Sequence, residues 1–285
     1  MSAISVQLLN GIAYGMLLFL LASGLTLMFG LMKVINMAHG SYYLLAGYFG
    51  YTIAKLTGDF YLAIIAGIVF AAVLGYLMER FLFRLIYNME LEQVLLTFGF
   101  IYIFQDIGLW LWPRSILVIT KPAWLAGSLT AFDITFPVYR VALIVTGLVI
   151  ATALWFFQEK TRVGAMVRAG VDDREMVTAL GINVNILFTL IFTLGAALAG
   201  LAGVLGAAYI GLYPGLDLEV LIMALVVVVI GGLGSLTGTL AAALLIGLAD
   251  AFGKALIPEF AMFSVYAVMA LVLIFRPTGL FGRKE

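Results

Sequence analysis

Apolar residues run in long, nearly unbroken stretches over 8–31, 34–54, 61–78, 94–112, 138–157, 186–210 and 260–275. A hydrocarbon core ~30 Å thick takes about 20 helical residues to cross at ~1.5 Å each, so every stretch predicts a membrane-spanning helix. The hydrophobicity goes all round, without the apolar–polar alternation that the strands of a membrane barrel require. A further apolar tract, 218–251, is interrupted by Gly231-Gly232-Leu233-Gly234-Ser235. It reads as two short helices of ~20 Å each, joined by a flexible break that lets backbones pack closely. Seven spans and the broken pair predict an all-α, polytopic transmembrane bundle with about nine crossings. The N-terminus lacks a basic n-region and its apolar run is too long for a signal peptide, so it is read as a retained first span.

Composition sharpens this picture. Hydrophobic residues make up 65% of the chain and charged residues 11%, too little polar surface to cover a soluble globule. Lys+Arg and Asp+Glu balance at 15 each, so net charge points to no nucleic-acid or acidic partner. The distribution matters more. Arg80, Arg84, Lys160, Arg162, Arg168, Arg174, Arg276, Arg283 and Lys284 fall on one side of the alternating spans, with Lys33 near the same face. Lys55, Arg114, Lys121, Arg140 and Lys254 fall on the other. The basic excess marks the first side as cytoplasmic, which places the N-terminus in the periplasm and the C-terminus in the cytoplasm.

Polar groups inside such spans cost a few kcal/mol each, so those that remain are informative. Asn36, His39 and Ser41 cluster beside Gly40, just after a hydrophobic span. They are candidates for lining a solute path, and serve equally well to satisfy one another at a helix break. Gly232, Gly234 and Ser235, in the second break, are the other path candidates. That glycine tract fits neither G-x-G-x-x-G nor the P-loop pattern, so it binds no nucleotide. Small residues at Gly195, Ala199, Gly203, Ala207 and Gly211 form a stripe at four-residue spacing, suited to close helix packing within the subunit or against a partner.

The charged stretch 158–185 contains Asp172 as a helix cap, Glu175 three residues on and Gly181 as a terminator. These predict a helix of about two turns that either docks on a partner or lies solvated. Catalysis has little to work with. There is no cysteine and one histidine, and Asp106 and Asp250 have no acidic neighbour at helical spacing. No metal, cofactor or enzymatic activity is expected of this chain, and no row of mid-membrane carboxylates couples it to protons or sodium.

Four motifs then carry a resemblance: GLMKVINMAHGSYYLLAGY at 30–48, TRVGAMVRAG and ALGINV within 161–206, VVVVIGGLGSLTGTLAAALLIGL, and the ending FRPTGLFGRK. In this order they resemble the shorter of the two transmembrane subunits of branched-chain amino acid ABC importers, over nearly the whole chain. The longer sister subunit has a G-Q-x-S-L-G-H type segment where this chain has 34–40. The resemblance implies one transmembrane permease domain, 1–285, in the bacterial inner membrane. It also implies a second, longer permease subunit, two cytoplasmic ATPases that bind Mg-ATP, and a periplasmic solute-binding protein. The coupling helix of such importers maps to 172–180, with Asp172, Asp173, Arg174, Glu175, Met176 and Leu180, and Gly181 at its end. Met176 and Val177 stand where the family has two alanines.

The mechanism expected is alternating access: the binding protein docks outside, including on 113–137, and ATP binding moves the coupling helix and the broken helices. An inverted repeat relating 8–31 and its break to 186–210 and the other break would put the path at their interface. The competing reading is a self-contained channel or secondary carrier for a small neutral solute such as urea or an amide.

Overall fold

The computed structural model describes residues 2–87, 89–131, 134–172 and 174–282, with side chains at 2, 3, 31, 131, 134, 170–175 and 262 outside that description. The chain folds as α1 (Ser2–Met32), α2 (His39–Thr57), α3 (Phe60–Phe81), α4 (Glu90–Leu111), α5 (Ala123–Ala126), β1 (Ser128–Ala131) and β2 (Ile134–Pro137). It continues as α6 (Val138–Lys160), α7 (Arg162–Asp172), α8 (Arg174–Ala179), α9 (Val184–Tyr209), α10 (Leu216–Gly231), α11 (Leu236–Leu256) and α12 (Ala261–Phe275). Among the described residues, α1, α3, α4, α6, α9 and α11 are long and apolar enough to cross a membrane. α10 and α12 are shorter, at 16 and 15 residues. α2 has 19 residues but begins on His39, Gly40 and Ser41.

α1 is the most enclosed of the long helices. α11 runs antiparallel to it, with Gly11 against Leu248, Gly15 against Ala243 and Gly30 against Gly234. α6 runs parallel to it, with Arg140 donating to Asn10 and Gly147 packed on Met16. α9 crosses at Gly24 and Gly195, where a Cβ on either glycine would collide with the carbonyl oxygen of the other. Only glycine allows backbones that close, and dispersion between tightly fitted helices is what holds a bundle in lipid, where burial from water no longer drives association. α3 lies antiparallel to α9 through Gly67, Ala71 and Gly75. One end of the bundle therefore carries Lys33, Arg80, Arg84, Lys160 and Arg276, and the other Lys55, Lys121, Arg140 and Lys254. Exposed Trp110 and Trp124 lie toward the second end and Trp155 toward the first, as interfacial aromatics do.

Local chemistry sets the boundaries. Asp59 caps α3 through Oδ1, which accepts from Tyr61 N at 2.7 Å and Leu62 N at 3.1 Å. The tract 218–251 breaks where expected, because Gly232 and Gly234 take φ of 93° and 82° and Ser235 Oγ caps α11 by accepting from Gly238 N. The two helices it joins are not both short, since α11 has 21 residues. Three further expectations are corrected. The stretch 34–54 is helical only from His39. Asp172 does not start a helix: it ends α7, which begins after Thr161, whose hydroxyl accepts from Gly164 N at 3.0 Å. Gly211 lies past the end of α9, in a turn with φ of 84°, and is not on the helix stripe.

Candidate functional site

Between α1 and α2 the chain turns back into the bundle instead of continuing as helix. The backbone N–H groups freed there are taken up inside the protein, as a non-aqueous setting demands. Val34 N donates to Met28 O, Ile35 N to Gln93 Oε1 at 3.0 Å, Met37 N to Thr97 Oγ1 at 3.1 Å and Ala38 N to Asn36 Oδ1 at 3.1 Å. Gln93 and Thr97 belong to α4, so α4 serves as a rack for the break. Asn36 is buried and directs Nδ2 toward Met28 Sδ at 3.8 Å. His39 is buried too, with Nε2 donating to Leu21 O at 3.0 Å and Nδ1 without a hydrogen-bond partner among the described residues.

That contact fixes the depth of the site. Leu21 and Gly24, which flank the His39 ring, lie eight to eleven residues before the end of α1, a rise of about 12–16 Å at ~1.5 Å per residue. α2 thus starts well inside the bundle. α10 starts there as well: the backbone of Gly40 packs on the carbonyl of Asp217 and on Leu221. The first turns of two antiparallel helices meet, and each contributes the positive end of its dipole. The buried carboxylate of Asp217 sits at this junction. Ser41 Oγ donates to its Oδ2 at 3.1 Å, and Gln105 Nε2, from α4, donates to both its oxygens at 3.1 Å. An unpaired carboxylate here would be prohibitively costly; three hydrogen bonds from two side chains, with two helix N-termini, make it tenable.

Beyond Leu216, toward the Lys55 end, a cavity of about 570 Å³ opens between α1, α6, α9, α10 and α11. Its charged groups are Arg140 and Lys254 against Glu219 and Asp250, and its apolar wall includes Val220, Met223 and Ile210. Lys254 Nζ pairs with Asp250 Oδ2 at 2.7 Å. Arg140 has no carboxylate partner among the described residues; it donates to Asn10 and lies over the rings of Phe136 and Tyr209. Tyr213, in the turn before α10, donates to Glu219 at 2.7 Å, and its phenol is pushed up to about 12 by burial and by that carboxylate. The volume falls in the usual range for small-molecule pockets.

The sequence candidates do not converge on one place. Asn36, His39 and Ser41 gather at the inner junction, whereas Gly232, Gly234 and Ser235 lie at the Lys33 end, packed on Gly30 and on the 279–282 tail. In the small-residue stripe, Gly195 meets α1 at Gly24, Gly203 meets the Tyr43 carbonyl of α2, Ala199 is fully buried, and Ala207 O accepts from Ile119 N of the loop after α4. All of these neighbours belong to the same chain. Of the coupling segment, Asp173 lies outside the described residues, as do the side chains of Asp172, Arg174 and Glu175. Met176 and Leu180 are 64% and 74% exposed while Val177 between them is buried, and Gly181, with φ of 83°, ends α8.

Sequence reasoning passed over Asp217, Gln105, Gln93 and Thr97, single polar residues inside otherwise apolar spans. It also passed over Glu79, fully buried at the end of α3, which accepts from Tyr87 and from Thr189 Oγ1 at 2.5 Å and faces Arg84 Nε at 3.9 Å. Their signal was the rarity of a carboxylate or amide in a span.

Known proteins were compared with the chain. No solved structure matches it. It is 30% identical to the high-affinity branched-chain amino acid transport system permease protein BraD of Pseudomonas aeruginosa, over 98% of this chain and 96% of that one. It is 29% identical, with the same coverage, to the corresponding LivH protein of Salmonella typhimurium. A probable LivH permease of Methanocaldococcus jannaschii is 28% identical over 96% of this chain and 91% of its own. The family described as the permease component of the branched-chain amino acid transport system matches residues 7–275. With an end-to-end match of that kind laid over a bundle of apolar helices, this chain belongs to the branched-chain amino acid transport permease family.

Proposed function

We propose that this chain forms the translocation path of an ATP-driven importer for branched-chain amino acids, in the inner membrane, with the Lys55 end facing the periplasm and the Lys33 end the cytoplasm. The carrying observation is the near full-length likeness to permease subunits of that transport system. Nine helices then thread the membrane, with α2 and α10 as partial spans that start at the Asp217 junction. The basic residues gathered at the Lys33 end support the orientation. The reciprocal Gly24–Gly195 contact, and the fact that α1 and α9 are each followed by a turn back into the bundle, support an inverted repeat.

In this reading the 570 Å³ cavity is the outer mouth. Arg140 suits the carboxylate of an amino acid, Asp250 and Glu219 its ammonium, and the Val220–Met223 wall a branched side chain. The solute passes on beside Ser41, His39 and Asp217, where tilting α10 about its Gly232–Ser235 joint opens the way inward. Hydrolysis of Mg-ATP occurs on two separate cytoplasmic ATPases seated against α8, in a complex with a second permease subunit and a periplasmic binding protein.

The test is reconstitution of the chain with these partners in vesicles. Leucine, isoleucine and valine should stimulate ATP hydrolysis and enter only with ATP, whereas amides and urea should not. Uptake by this chain alone, without the ATPases, would replace the importer with a channel or carrier.

A further inference from the structure

A second large concavity lies on the flank of the bundle. Its floor is the first half of α9 and its walls are α3 and α6, enclosing about 1050 Å³. Polarity changes along its length. At the Lys33 end it is lined by Arg80, Arg84, Asn183 and Asn185; farther along by Leu154, Leu190, Leu194 and Leu198. From Asn183 to Leu198 the floor rises about 22 Å at ~1.5 Å per residue. Half of a bilayer including its headgroups measures about 20–22 Å. The groove is therefore one leaflet long, polar at the headgroup level and, apart from Thr193, apolar at the acyl level.

The polar end favours a negative charge. Arg80 is exposed and forms no ion pair among the described residues. Arg84 approaches Glu79, yet that carboxylate is buried and also accepts from Tyr87 and Thr189, so two guanidinium groups face the groove's mouth against one shared carboxylate. α9 begins at the same place, with Asn183 as its cap, and adds the positive end of a 26-residue helix. A transmembrane helix from a partner would satisfy the apolar stretch and leave the arginines without a counter-ion. We infer that the groove between α3, α6 and α9 binds one anionic phospholipid, its phosphate against Arg80 and Arg84 and an acyl chain along Leu154, Leu190 and Leu194. Juxtamembrane arginines gain from anionic headgroups in this way.

Native mass spectrometry of the whole purified complex, after exchange into vesicles holding equal phosphatidylglycerol and phosphatidylethanolamine, tests this. Wild type should retain phosphatidylglycerol over phosphatidylethanolamine by at least about tenfold. Arg80→Gln, at an exposed position, should lower that preference severalfold, and Arg80→Gln with Arg84→Gln should abolish it. Leu194→Trp, which fills the acyl part while leaving both arginines, should remove bound lipid of either headgroup. Equal retention of the two lipids by wild type would overturn the inference. So would inorganic phosphate displacing the lipid while Leu194→Trp has no effect, or a cysteine at Leu190 crosslinking to the second permease subunit.

Discussion

Ser41 and Asp217 are 176 residues apart in sequence and 3.1 Å apart in space, and their hydrogen bond ties the first turn of α2 to the first turn of α10. Both helices start inside the bundle. Replacing Asp217 with Leu strands the buried Ser41 hydroxyl, at about 1–3 kcal/mol, and the half-buried Gln105 amide, at less. Uptake should fall at least tenfold. Ser41→Ala removes one donor of two and should cost about 1 kcal/mol with uptake largely kept. Denaturant titration of the purified permease, run beside vesicle uptake, separates the two losses. Equal uptake by Asp217→Leu and wild type would remove the junction from the path.

The α1–α9 crossing makes a packing prediction. Gly24→Leu would drive a side chain into the Gly195 carbonyl, and overpacking of this kind costs about 1–3 kcal/mol or more. Gly99→Ala, on α4, meets nothing within 4 Å and gains helix propensity. The first variant should yield little folded protein after detergent extraction, and the second at least as much as wild type.

At the Lys33 end, Leu180 and Val177 act as opposite probes. Leu180 is exposed, so Leu180→Asp should leave the subunit stable while releasing the ATPase or lowering transport per ATP hydrolysed. Val177 is buried, and Val177→Asp should destabilise the subunit itself by several kcal/mol. Arg174→Ala should do much less than Leu180→Asp. Co-purification of the ATPase with each variant reads the outcome; full coupling in Leu180→Asp would move the docking site elsewhere, beginning with 79–92.

Orientation is checked by reporters. Fusions within 176–181 and after Lys284 should report from the cytoplasm, and one within 123–128 from the periplasm. A periplasmic signal from the tail would invert the reading.

The two breaks were legible in the sequence because glycine and polar residues interrupt apolar runs there. What the first break does was not. Its N–H groups are held by Gln93 and Thr97, more than fifty residues away, and no local pattern announces a partner at that distance. Asp217 was hidden for the same reason, since its partners come from α2 and α4. In the segment 172–180 the short helix and its Gly181 stop were legible, as α8, but its start was not: Thr161 had already started α7, which extends to Asp172, so the cap signature there falls on the end of one helix just before the next begins at Arg174. The small-residue stripe was legible as far as Ala207; at Gly211 the helix had already ended.

The Gly24–Gly195 contact also has a mechanical consequence. Because backbone meets backbone, no rotamer can flex between α1 and α9, so the crossing resists sliding and yields chiefly to rotation. From Gly195 to Tyr209 the arm of α9 is about 21 Å long, and a turn of ~10° at the crossing would carry its tip about 4 Å. That tip lines the cavity between Arg140 and Glu219, while the opposite arm begins just after Asn183, which follows the segment that ends at Gly181. In the proposed transport cycle the two glycines would be the fulcrum of a lever whose arms reach opposite ends of the bundle.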